Sequence, residues 1–187
     1  MINFVRNLPT MRRLLILLLA IFTATTTLSA QNSATLKMAK KNAKLCKKEG
    51  WRAIDGDPTL EEQYAKYYEY ILAYDEPGEP EYYIVTSIGE GKSYNTALKD
   101  ARYFTNVEIC QILYPDGLDI LIDNDNIYTS FFAPEGFKLA EPIVLVCATR
   151  TKNDKIEVLM ISAYKCSECY VPEDAPRRQY TIENLNF

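Results

Sequence analysis

The chain is 187 residues long, with 21 basic and 25 acidic residues and a formal charge of −4. It contains no histidine, which removes the commonest general base, the usual partner of a serine or cysteine nucleophile, and the commonest metal ligand. The acidic balance also argues against nucleic acid as the main partner.

The N-terminus reads as a leader. Arg6, Arg12 and Arg13 supply a positive region, Leu14 to Phe22 an apolar one, and Leu28-Ser29-Ala30 a small-residue cleavage point before Gln31. The apolar run is shorter than the roughly 20 residues a membrane-crossing helix needs. Residues 1–30 are therefore expected to be a signal peptide cleaved after Ala30. The mature chain is therefore expected to be exported. The chain beyond Ala30 is long enough for one domain with a sizeable core.

Residues 31–75 read as an N-terminal helical segment. In NSATLKMAKKNAKLCKKEG, Leu36, Ala39, Ala43 and Cys46 make a narrow apolar stripe, and Gly50 suits the residue just past a helix end. Residues 31–50 hold six lysines against one glutamate, while residues 51–187 carry a net charge of −12. The lysine-rich helix 37–48 is a solvated face by its pattern, and a peripheral contact with an anionic membrane is its alternative use. A second helix starts either with Asp57 as cap and Pro58 at its first position, or with Thr59 and Glu62 as a capping box. It runs to about Tyr74, with Leu60, Tyr64, Tyr67, Ile71 and Tyr74 near one face and Tyr68 beside it. That tyrosine row is either an amphipathic packing face or a stacking platform for a glycan or peptide.

An acidic linker, DEPGEPE, leads into the α+β core expected over residues 82–166. YYIVTSI is an apolar, β-branched strand, GEGKS a turn, and YNTALKDARYFTNVEICQIL a helix capped by Ser93. Residues 118–141 read as loops with short elements over the open end of the core. PIVLVCATR and IEVLMISAY flank the polar TKNDK turn as a β-hairpin, and the first of these strands is apolar on both faces. Residues 167–187 read as a surface tail. The fold expected is α+β: a small antiparallel sheet of strand, helix and hairpin, with helices packed on one face and two helices in front.

The motifs that invite chemistry are incomplete. A phosphate loop needs a glycine five residues before Gly91, where Thr86 stands. Asp123-Asn124-Asp125-Asn126 resembles half a calcium loop, but Tyr128 occupies the required glycine position. Five cysteines lie beyond the leader: Cys46, Cys110 and Cys147 on apolar faces, and Cys166 and Cys169 as the one CxxC. That pair is a candidate disulfide or redox site; as a zinc site it lacks a second half. No cofactor or metal is expected.

The stretch YYIVTSIGEGKSYNTALKDAR resembles the small bacterial surface-lipoprotein family of about twenty kilodaltons. It is also similar to the domain that opens the flagellar assembly protein T. The likeness rests on a strand, a G-x-G turn and an alanine-spaced helix containing Ala97 and Ala101, and it extends to AKKNAKLCKKEGW and YAKYYEY. The resemblance implies an envelope location, in the periplasm or associated with the outer membrane of a Gram-negative bacterium, and supplies no catalytic residue. The family's lipid-attachment cysteine is missing after the apolar run. The function expected is a non-enzymatic envelope protein engaged in protein interaction or assembly. Its alternatives are a glycan- or peptide-binding module built on Tyr64, Tyr67, Tyr68 and Tyr74, and a thiol oxidoreductase using Cys166 and Cys169.

Overall fold

A computed structural model describes residues 33–75, 78–123, 126–182 and 185. The leader and its cleavage point after Ala30 lie outside the described residues, as does the centre of the half calcium loop. The first helix, α1, covers residues 33–48, and a compact unit begins within it at Ala39. Gly50, at φ +89°, ends α1. The Trp51 amide bonds the Cys46 carbonyl at 3.0 Å and the Gly50 amide bonds that of Lys47 at 3.2 Å. This paired closure needs a left-handed residue, which glycine adopts without a steric penalty.

The strands β1 (Arg52–Ala53), β2 (Tyr74–Asp75) and β3 (Glu79–Pro80) are two residues each, with α2 (Leu60–Ile71) between the first two. Of the two starts open to α2, the capping box is the one formed. Thr59 accepts from the Glu62 amide, and the Glu62 carboxylate accepts from the Thr59 amide at 2.8 Å. Hydrogen bonds from the Thr59 hydroxyl and then from its amide hold the exposed Glu62 carboxyl below its usual range. The helix stops at Ile71, short of Tyr74, which instead pairs with Pro80 in the β2–β3 ribbon.

The core follows the strand–helix–hairpin plan: β4 (Tyr82–Gly91), α3 (Tyr94–Leu113), β7 (Ile143–Lys152) and β8 (Lys155–Lys165). Ser93 caps α3 by accepting from the Thr96 amide. The β7–β8 turn places Asn153 and Asp154 at φ 50° and 60°. Two successive left-handed residues match the strand twist, and Asn and Asp tolerate them better than other side chains. Together with β1 these strands form an antiparallel sheet in the order β1-β7-β8-β4.

The fold is α+β with antiparallel sheets, as expected, and the helices cover both faces of this sheet instead of one. Ala97 and Ala101 of α3 pack on Val158 and Met160. The part of α1 from Ala39 onward, with Trp51 and α2, packs on Val146, Ala148, Leu159 and Ile161 of the opposite face. A strand pair buried on both sides carries apolar residues at odd and even positions alike, as β7 and β8 do.

Two further expectations are overturned. Residues 118–123 and 126–134 are paired strands, β5 (Leu118–Asp123) and β6 (Asn126–Pro134), rather than loops. The C-terminal segment is not a surface tail: β9 (Arg177–Tyr180) pairs with β6, and Ile182 is buried. The resulting sheet, β5-β6-β9, closes a core in which Phe131, Ala133 and Ile182 meet Val107, Ile109 and Cys110 of α3. Asn106 fixes this end, donating to the carbonyls of Ile182 and Leu185 at 2.8 and 2.7 Å.

Candidate functional site

The tyrosine row does not form a platform. Tyr64 and Tyr68 are 6% and 8% exposed, packed against the sheet, and Tyr67 is half-buried with its ring edge-on to both. Their hydroxyls are satisfied internally: Tyr64 meets the Cys46 sulfur at 2.9 Å, and Tyr68 accepts from Asn42 at 2.8 Å. Burial, reinforced by the Cys46 contact, pushes the Tyr64 pKa up. A stacking site needs an open ring face, so these rings are packing residues with wet or bonded tips. The Tyr74 side chain lies outside the described residues.

The lysines between positions 40 and 48 are exposed, around the stripe of buried Ala39 and Ala43. Lys47 comes within 3.9 Å of Glu61, a pair worth little in water. A cleft of about 710 Å³ lies where β1 meets β7, lined by Arg52, Asp55, Tyr94, Arg150 and Ile156. Its Arg150 is already committed. The guanidinium pairs with Glu157, which is 6% exposed, and stacks over the Trp51 ring at 4.2 Å. That buried pair supports the junction of β1, β7 and Trp51 instead of presenting a charge to a ligand.

The glycine turn also serves packing. A methyl group at Gly89 would overlap the backbone of Ala97 and Ala101. The two glycines let α3 lie close on β4. Below them Ser87 and Thr105 share a hydroxyl–hydroxyl bond of 2.6 Å, and each also bonds the Ala101 carbonyl.

The cysteines separate into two kinds. Cys110 is fully buried, and burial pushes its pKa up to about 12. Cys46 and Cys147 are half-buried, the latter touching Tyr94. Cys166 and Cys169 begin and follow a three-residue 3-10 turn at the end of β8. The Tyr83 hydroxyl bonds Cys166, while the Cys169 sulfur accepts from the Ala140 amide at 3.4 Å. Burial raises the Cys169 thiol. One turn of 3-10 helix supplies no helix N-terminus to stabilise a thiolate, which weakens an oxidoreductase role. Among the described residues no group of three or more Cys, Asp or Glu is placed to hold a metal ion.

The sequence did not reveal the sheet's outer edge. Among the described residues β4 pairs with β8 alone. The Glu90 amide bonds the Asp100 carboxylate of α3, so it points away from β8. Alternation along the unbroken register then turns the amides of Ile84, Thr86 and Ile88 outward as well. Thr86 and Ile88 are exposed, Ile88 by 45%. No charged side chain interrupts the strand from Tyr82 to Gly89. Sequence alternation places residues on a face, whereas the open edge follows from strand order. No family model, no curated protein and no solved structure matches the chain.

Proposed function

We propose that this chain is an exported, non-enzymatic protein of the bacterial envelope that acts by binding another envelope protein. The observation that carries the reading is the outer edge of β4. An exposed strand edge is a row of unpaired donors and acceptors, and folded proteins ordinarily blunt it with lysine, proline, a bulge or a covering segment. Among the described residues Asp100 closes the Glu90 end, and Tyr70 packs on the Tyr82 ring at the other. An extended segment of a partner adds to such an edge through main-chain bonds, with side chains such as Ile88 contributing apolar contact. The leader motif and the resemblance to envelope families support the location.

Two experiments test this. N-terminal sequencing of the protein from its native cell should begin at Gln31; an intact leader would remove the export part. Replacing Thr86 with Pro deletes an outward amide while leaving the β8 ladder intact. The variant should keep its melting temperature within a few degrees and lose the partner captured from native envelope fractions. Capture equal to that of the original protein would contradict the edge as the binding surface.

A further inference from the structure

We infer that the turn joining β8 to the C-terminal segment is a thiol-modification site, in which Cys166 and Cys169 close a reversible disulfide. This does not rest on the proposed function.

The geometry is favourable before any bond forms. The Cys169 amide bonds the Cys166 carbonyl at 3.2 Å, which defines a closed four-residue turn. Such turns hold the first and fourth Cα atoms within about 7 Å, and a disulfide spans roughly 4.4–6.8 Å. Tyr83 lies beside the turn: burial, with smaller contributions from the Cys166 and Cys169 thiols, raises its pKa. Both cysteines are half-buried, so small thiols and disulfides reach them. Cys110, the third sulfur of this neighbourhood, is sealed in the core.

The turn also sits at a junction. The Cys166 amide bonds the Glu81 carbonyl at the start of β4, at 2.9 Å. Cys169 accepts from Ala140, and the next residue, Tyr170, pairs with Lys138. The turn that the ring would close is thus bonded to the entry of β4 and to the loop before β7.

The oxidant is a low-molecular-weight disulfide. The Cys166 thiolate attacks one of its sulfurs, forming a mixed disulfide and releasing one small thiol, which takes up the proton Cys166 lost. The Cys169 thiolate then attacks the Cys166 sulfur, and the second small thiol leaves with the proton lost by Cys169. Two protein thiols are oxidised by two electrons, and one small disulfide is reduced to two thiols.

The test uses the full chain in glutathione buffers of graded oxidation, quenched with acid, alkylated and analysed by peptide mass spectrometry. The expected result is a Cys166–Cys169 pair that opens and closes with the buffer, while Cys110 stays a thiol. The equilibrium constant for closure should be at least about tenfold higher in the native protein than in guanidinium, because the fold and not sequence proximity alone brings the sulfurs together. The Cys169→Ser variant should stop at a Cys166–glutathione adduct. The inference is overturned if both thiols remain fully alkylated in excess glutathione disulfide, if Cys169 pairs with Cys110, or if native and denatured chains close equally.

Discussion

The two faces of the β1-β7-β8-β4 sheet are packed by opposite means. On the α3 face the chain removes side chains: Gly89, Ala97 and Ala101 let helix and strand backbones approach, and Ser87 and Thr105 satisfy each other in the gap. On the opposite face it adds them: Trp51, Leu60, Tyr64 and Tyr68 fill the wider space under α1 and α2. A close contact is sensitive to added volume, and a ring-filled one to removed volume.

This contrast can be broken in order of expected effect. Gly89→Ala forces a methyl group into the backbone of α3, which has no flexible end to move, and should cost about 4 kcal/mol of unfolding free energy in a urea titration. Loss below about 1 kcal/mol would mean that helix and strand are not in contact there. Tyr64→Ala should cost about 3 kcal/mol through the cavity it leaves. Tyr64→Phe should cost about 1 kcal/mol or less, since only the bond to Cys46 is lost.

Alkali distinguishes the buried groups by charge. Cys110 has an ordinary pKa of 9.0 and a folded value of about 12, with burial as the cause. The unfolded chain therefore loses this proton first, and stability is full below about pH 9 and falls as pH rises toward 12. The loss is on the order of 2 kcal/mol at about pH 10.5 from this group. Tyr64 and Tyr164 are also raised by burial and steepen the fall above pH 10. Cys110→Ala should flatten the slope just above pH 9; an unchanged profile would show that Cys110 is not a buried thiol. The smallest effect belongs to the cap of α2: Thr59→Ala should cost about 1 kcal/mol, read from the same titration.

Much of this was legible in the sequence. The β-branched run at 82–88, the serine before an apolar helical period, and the two apolar runs around TKNDK each act within a few residues, so local pattern identified them. Gly50 announced its own left-handed role. The rest depended on distant partners. RRQY is polar and becomes β9 only by pairing with Phe131 to Pro134 of β6. Ile182 is one apolar residue in a polar segment, buried because Asn106 holds the neighbouring backbone. The tyrosine row was placed on the correct helix, yet its fate depended on Ala39 and Ala43, small enough for α1 to cover it. The two-sided apolar pattern of Pro142 to Arg150 marked a central strand, and β7 does lie between β1 and β8. Which helix took which face was not written in any local period.

The β4 edge is where the packing of both faces stops, and it is the most direct test of the interaction reading. A photoreactive residue placed at Ile88 in the native cell, with Lys138 as a comparison site, reports what lies against each surface. We predict a discrete cross-linked protein product from position 88 that disappears with Thr86→Pro and is absent from position 138. No product from position 88, or the same product from both positions, would contradict the account.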